Sequence, residues 1–275
     1  MAYAVASMHP GRLLALLLAA AAAAVVPVAQ AQQRQETRTD RIAPFETLMQ
    51  NFDRMAFGEE NERRGWTAVQ RWREPVRAIL IGDNAEAYRE DVRALFAEFS
   101  QLTGVAFTLT DGDSSANMRI FFSARDWYRS AVGRSFPRPE AVVCFTNTSV
   151  DQAGAIGMTN TVIPEDLSGR LARSCLTHEL MHGLGFQGHP ARTFESALRN
   201  GVGFEQLTVN DRILIRALYD SRLKGDMGAD EALAAAKDIV SELVARVQAA
   251  RDPMDVLSQG GNTPLRVPPW EGGPV

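Results

Sequence analysis

The chain has 275 residues, of which 29 are basic and 33 are acidic, so its net charge is −4. This balance excludes a strongly basic nucleic-acid-binding protein, and no cluster of Lys or Arg argues otherwise. The length suffices for one sizeable core with small additions at each end, and we find no internal repeat.

The amino terminus has the parts of a secretory signal peptide. Arg12 precedes an apolar run over residues 13–26, and Ala29-Gln30-Ala31 forms a small-residue cleavage site. The run is 14 residues long, shorter than the ~18 that cross a bilayer comfortably. We therefore predict cleavage of residues 1–31, export to the periplasm or beyond, and no later membrane span. An uncleaved anchor is the alternative. The mature chain would carry 28 basic and 33 acidic residues, a charge of −5.

Residues 32–70 are predicted to be an amino-terminal extension that is polar at first and then helical from Phe45 to Met55. The sequence leaves open whether this extension is an inhibitory pro-segment. A strand over Val76–Ile81, a helix over 86–102 and strands over 105–109 and 118–122 should follow. This order indicates an α/β arrangement with a crossover helix.

Two more strands are predicted over 141–146 and 154–163. A helix should start at Pro164, with Asp166 or Ser168 as its N-cap. Leu176, Leu180 and Leu184 recur every four residues, so this face of the helix should be buried. The opposite face should look toward a cleft.

That face carries the clearest chemical signal in the chain. His178-Glu179-Leu180-Met181-His182 fits H-E-x-x-H, which on a helix points both imidazoles the same way, one turn apart. Glu179 is predicted to be the catalytic general base that takes a proton from a metal-activated water. Three of the four histidines lie between 178 and 189, a concentration that favours a metal site over scattered core histidines.

His189 is the predicted third metal ligand, because a catalytic zinc site has three protein ligands. Gly185 should end the helix in a left-handed conformation and turn the chain back toward the metal, although an ordinary helix C-cap is equally compatible. If His189 does not reach, Glu195 or Glu205 is the fallback ligand.

The two cysteines, Cys144 and Cys175, are predicted to form a disulfide that pins the metal-bearing helix to the sheet. A pair of unbridged core thiols is the alternative, and a cysteine–histidine zinc site is disfavoured by the position of Cys175. Residues 71–227 should form the zinc domain and 228–251 a packed carboxy-terminal helix. Residues 252–275 are Gly/Pro-rich and should form an extended or disordered tail.

H-E-x-x-H-x-x-G followed by a further histidine resembles the metzincin metallopeptidases, particularly the matrixin type. Residues 207–219 resemble their closing helix, and residues 72–81 their first strand. The resemblance implies an α/β (α+β) fold: a twisted mixed sheet of about five strands with a crossover helix, a zinc-bearing active-site helix and a closing helix. In the predicted mechanism Tyr219 stabilises the oxyanion, or else is a buried, hydrogen-bonded tyrosine of the closing helix.

Two positions depart from the metzincin pattern. Gly188 stands where that family has its third histidine, so His189 is one residue late, and Phe194 stands at the position of the Met-turn methionine. Residues 218–227 read Leu-Tyr-Asp-Ser-Arg-Leu-Lys-Gly-Asp-Met. With the two cysteines, this ending is similar to an uncharacterised family of exported bacterial proteins, many of which look degenerate at the zinc positions.

The sequence therefore predicts an exported zinc metalloendopeptidase that binds Zn²⁺ through His178, His182 and His189 and acts on peptide or protein substrates. The alternatives are a zinc-binding but inactive envelope binding or scaffold protein, and a scaffold without metal. The strand over 141–146 should either bind substrate by β-augmentation or be an ordinary covered strand.

Overall fold

The structure of the protein is a computed structural model. It describes residues 41–58, 68–112, 115–124, 143–201, 203–225 and 227–258. The predicted signal peptide and most of the predicted tail lie outside these ranges. The described residues all belong to one compact unit.

A five-stranded mixed sheet lies at the centre of the fold. Its strands are β1 (Val76–Ile81), β2 (Phe107–Leu109), β3 (Met118–Ser123), β4 (Phe145–Val150) and β5 (Ile156–Pro164). Their order across the sheet is β2-β1-β3-β5-β4. The first three pairings are parallel, whereas β4 pairs with β5 in the antiparallel direction and forms one edge. The predicted α/β fold with a mixed sheet is confirmed.

Helices pack against this sheet and against one another. They are α1 (Phe45–Phe57), α2 (Arg89–Thr103), α3 (Gly169–His182), α4 (Val209–Leu218), α5 (Ala229–Ala249) and α6 (Pro253–Leu257). A 3₁₀ turn at Ala85–Tyr88 precedes α2, which is the crossover between the parallel strands β1 and β2. A capping box starts α4: the Thr208 side chain accepts from the Asp211 backbone N–H, and the Asp211 carboxylate accepts from that of Thr208.

Several element boundaries differ from the predicted ones. β4 starts at Phe145, whereas the predicted strand starts at residue 141. Residues 141 and 142 lie outside the described ranges. After the buried Phe145, the residues of β4 alternate between half-buried and exposed and are mostly polar, so hydrophobicity does not mark them. β5 starts only at Ile156, because Gly154 turns with a φ of 75°. Pro164 ends β5 instead of starting a helix, and Ser168 is the N-cap of α3.

The carboxy-terminal region also differs from the predicted extended tail, because α6 forms there. The Asp252 side chain accepts a hydrogen bond from the Met254 backbone N–H, and Pro253 occupies the first turn, where its missing N–H costs nothing. Leu257 is buried in the core.

One hydrophobic core joins the sheet to the helices. α3 and the turn after it contribute the three predicted leucines, each fully buried. α1 contributes Leu48, Phe52 and Met55 to the same core, so this part of the predicted extension is packed into the domain. Among the described helices, none combines the length and the apolar composition that a bilayer crossing requires.

Candidate metal centre

Three imidazoles converge beside the end of α3. The Nε2 atoms of His178 and His189 are 3.2 Å apart, and those of His178 and His182 are 3.3 Å apart. The ligand atoms of all three lie within 4.8 Å of one another. Among the described residues, no other group of three or more His, Cys, Asp or Glu side chains converges in this way. The structure thus brings together the three residues predicted as metal ligands.

Backbone carbonyl groups orient two of the three rings. His178 donates from Nδ1 to the Ala197 carbonyl oxygen at 2.9 Å, and His182 donates from Nδ1 to that of Phe186 at 2.6 Å. A carbonyl oxygen only accepts, so each Nδ1 carries the proton, and Nε2 of the neutral ring presents a lone pair. Such contacts fix the tautomer and the direction of a metal-binding histidine.

The surroundings keep these rings neutral. Burial lowers the pKa of His178. Burial and the charges of the other two histidines lower the pKa of His182 well below its usual value, and burial together with His178 lowers the pKa of His189 to about 3. Unprotonated imidazoles are the form that binds a metal ion.

The spacing of the donor atoms fits a tetrahedral zinc site. Zn–N bonds of ~2.0–2.1 Å at tetrahedral angles require nitrogen atoms about 3.3–3.4 Å apart. Two of the three pairs, with Nε2–Nε2 distances of 3.2 and 3.3 Å, lie close to this value, and the ligand atoms of the third pair, His182 and His189, lie within 4.8 Å of each other. Without a cation, the lone pairs on Nε2 of His178 and His182 would face each other at 3.3 Å, whereas a shared ion converts this repulsion into binding. The donor set could therefore hold a metal ion, and three imidazoles are a ligand set that Zn²⁺ accepts.

Glu179, the predicted general base, is buried on α3 next to His178, with 3% of its surface exposed. Its backbone carbonyl accepts a hydrogen bond from the Thr146 hydroxyl of β4 at 2.9 Å. The position of the helical turn that carries Glu179 is thus tied to the edge strand of the sheet.

A disulfide reinforces the same contact. Cys144 and Cys175 are bonded, with their Cα atoms 6.1 Å apart. Cys144 directly precedes β4, and Cys175 lies on α3 one turn before His178. The predicted bridge between the sheet and the metal-bearing helix is present, and such bonds persist in oxidising compartments.

A tight turn follows α3 and leads to the Phe186 carbonyl. Gly185 has a φ of 113°, and a Cβ at this position would collide with the Gln70 carbonyl oxygen. Glycine is required here both for the backbone conformation and for the close approach. The positive φ predicted at Gly185 is therefore found, but the C-cap of α3 is Gly183, so Gly185 turns the chain after the helix instead of ending it.

The buried side chains of Trp72 and Tyr219 hold this turn. No sequence pattern predicts that these two residues act together. The Trp72 indole N–H donates to the Gly183 carbonyl at 2.8 Å, and the Tyr219 hydroxyl donates to that of Leu184 at 3.0 Å. The Tyr219 hydroxyl also accepts from the Trp72 backbone N–H at 3.1 Å. The segment before β1 and the end of α4 therefore meet at the exit of the metal-bearing helix.

These contacts match the structural alternative for Tyr219. Its side chain is 1% exposed, and its hydroxyl both donates to and accepts from the backbone. We assign Tyr219 to the support of the turn, and it has no part in the chemistry proposed below.

The other predicted positions have different surroundings. Glu205, a fallback ligand, pairs with Arg173 at 2.6 Å and lies outside the histidine cluster. Glu195 is not part of that cluster either, and its backbone carbonyl accepts from the Thr208 hydroxyl. Phe194, at the Met-turn position, is buried with 2% of its surface exposed.

The comparisons with known proteins place the chain in a family of unknown function. Among curated proteins, none matches it. Residues 46–238 match the family described as "Protein of unknown function (DUF2927)". This stretch runs from α1 into α5 and includes the three histidines, Glu179 and both cysteines, and it agrees with the predicted similarity to an uncharacterised family. Because the match covers well over half of the sequence, the chain belongs to the DUF2927 family.

Proposed function

We propose that the protein is an exported zinc-dependent metallopeptidase, with His178, His182 and His189 as metal ligands and Glu179 as general base. The observation that carries the proposal is the convergence of three histidine nitrogens at the helix that also bears Glu179. The resemblance of this helix to that of the metzincins favours peptide hydrolysis over other zinc reactions. The disulfide supports export.

Each residue then has a defined task. The three imidazoles would hold the ion, which when bound would supply Lewis-acid activation of water and of the scissile carbonyl group. The Glu179 carboxylate accepts the water proton and returns it to the leaving amine. Because Glu179 is buried, its carboxylate works where little solvent competes for the proton.

The edge strand β4 is the proposed platform for the substrate. It lies at one end of the strand order and is fixed to α3 by the disulfide and by the Thr146 hydroxyl. An extended peptide that pairs with β4 would run past the turn of α3 that carries Glu179. The proposed substrate class is therefore an extended or unfolded polypeptide segment.

Zinc content and proteolysis, measured on the same preparations, test the proposal. The wild type should retain equimolar zinc after dialysis and hydrolyse unfolded casein. Glu179→Gln should keep its zinc but lose activity by about 10²–10⁴-fold, the usual contribution of general acid–base catalysis. His182→Ala should lose the zinc.

Glu205→Gln is the matched control, because it alters a carboxylate near α3 that pairs with Arg173 instead of lying in the histidine cluster. It should change neither zinc content nor activity. Equal hydrolysis by the wild type and by Glu179→Gln would contradict the proposal.

A zinc-binding but inactive scaffold protein is the second candidate. The position of Tyr219 favours it, because the residue predicted to stabilise an oxyanion is bound to backbone groups instead. This candidate predicts that the wild type binds equimolar zinc but does not hydrolyse casein. Glu179→Gln should then change partner binding or nothing at all.

A further inference from the structure

Helix α1 lies directly against the loop that carries His189. The backbone N–H of Gly188 donates to the Met55 carbonyl oxygen at 2.9 Å. The backbone N–H of Ala191 donates to Oδ1 of Asn51 at 2.8 Å. The residues on both sides of His189 are thus hydrogen-bonded to one helix, far away in the sequence.

Both polar atoms of the Asn51 side-chain amide are hydrogen-bonded. It is 2% exposed, and its Nδ2 group donates to the Thr47 carbonyl oxygen at 2.7 Å, which leaves Oδ1 facing Ala191. The carbonyl partner requires a donor and the N–H partner requires an acceptor, so the orientation of the amide is determined. A buried polar side chain with both ends bound is a rigid support.

Gly188 allows the close approach. A Cβ at this position would collide with the carbonyl oxygens of Arg54 and Gly58 at the end of α1. The backbone of the loop can therefore dock on α1 only if residue 188 is a glycine. This gives a physical reason for the one-residue offset of the third histidine: residue 188 is needed for packing, and residue 189 is the next that can carry a side chain.

α1 also contacts the residue that orients His182. The Phe52 ring packs edge-on against that of Phe186, with ring centres 6.4 Å apart. The Phe186 carbonyl oxygen is the acceptor for Nδ1 of His182. One helix therefore supports the surroundings of two of the three histidines.

We propose that α1 is a built-in support of the metal centre and that Asn51 is a positioning residue for His189. This inference rests on the proposed zinc site. It makes α1 a working part of the domain, needed for tight metal binding, and not a removable segment that blocks the site.

The affinity for zinc, measured by competition with a chromophoric chelator, tests the role of Asn51. Asn51→Ala removes the acceptor for the Ala191 N–H and should weaken zinc binding about tenfold, the lower end of the range for outer-shell partners of metal ligands. Asn51→Asp keeps the acceptor for the Ala191 N–H but sets a carboxylate oxygen against the Thr47 carbonyl oxygen, so it should recover only part of the affinity. Gln50→Ala changes the exposed neighbour on the same helix and should bind zinc like the wild type.

A second measurement needs no variant. Hydrogen exchange of the wild type, with and without zinc, should show added protection of the Gly188 and Ala191 amides on zinc binding, because the ion and α1 restrain the same loop. The visible absorption of the cobalt-substituted proteins tests the geometry of the site. The spectra of the wild type and of Asn51→Ala should differ, whereas a variant that is only less stable but has a correctly formed site would give the wild-type spectrum.

The outcomes separate the two proposals. If wild type binds zinc and Asn51→Ala binds it equally tightly, the positioning role of α1 is wrong and the proposed function is untouched. If the wild type binds zinc without hydrolysing casein, the peptidase proposal fails while the role of α1 stands. If the wild type binds no zinc, both fail.

Discussion

The variant Tyr219→Phe separates a structural role of this tyrosine from a catalytic one. Its hydroxyl donates to the Leu184 carbonyl oxygen and accepts from the Trp72 backbone N–H, and both contacts are buried. Phenylalanine leaves one buried acceptor and one buried donor without a partner. Each buried polar group without a partner costs about 1–3 kcal/mol, and relaxation of the surrounding structure recovers part of this cost. The free energy of unfolding should therefore fall by about 2–4 kcal/mol.

Urea unfolding of the zinc-loaded protein measures this loss, and casein hydrolysis well below the melting temperature measures catalysis. Tyr88→Phe is the matched control, because its hydroxyl makes only a long contact, 3.5 Å, with the Leu167 carbonyl oxygen. That substitution should have little effect on unfolding. Removal of an oxyanion donor lowers kcat about 10²–10³-fold, whereas we expect a change of less than about threefold for Tyr219→Phe. Unchanged unfolding together with a hundredfold drop in kcat would refute our assignment.

Three further predictions concern stability. Replacing both Cys144 and Cys175 by Ala should lower the free energy of unfolding by about 3–4 kcal/mol, because the bond closes a loop with a sequence separation of 31; equal urea midpoints would count against it. Gly185→Ala should destabilise the fold more than Gly201→Ala, since both have positive φ but only position 185 also has a colliding carbonyl oxygen. Thermal unfolding compares the two. Burial raises the pKa of Tyr219, so its proton contributes stability that is present below pH ~10 and lost as the pH rises further. The urea midpoint should fall less steeply above that pH in Tyr219→Phe than in the wild type.

The sequence predicts the metal cluster well because its determinants are local. His178 and His182 are four residues apart on one helix, so helical geometry alone brings their rings together. His189 follows after a glycine turn, and the short distance along the chain limits where it can lie. The same holds for α4, whose capping box from Thr208 to Asp211 is a local sequence pattern.

The groups that orient the cluster are not predictable in this way. The Ala197 and Phe186 carbonyls hold His178 and His182, but backbone carbonyls leave no signature in a sequence. The contact of Asn51 with the Ala191 N–H joins residues 140 apart, and a single Asn in an amphipathic helix does not indicate its partner. Only the packing of α1 on the loop reveals it.

Strand boundaries fail for a related reason. The polar edge strand β4 has no apolar run to mark it, and its pairing with β5 decides where it begins. The strand order β2-β1-β3-β5-β4 depends on which strands meet across the crossovers, which a single sequence does not specify. The five strands themselves are predictable because most of them alternate or run apolar between turn residues.

The zinc X-ray absorption spectrum of the wild type and of His189→Ala tests the central claim most directly. We predict equimolar zinc with three histidine nitrogens at ~2.0–2.1 Å in the wild type. His189→Ala should show one histidine fewer and weaker binding. Absence of zinc, or a coordination shell that is the same in both proteins, would contradict the account.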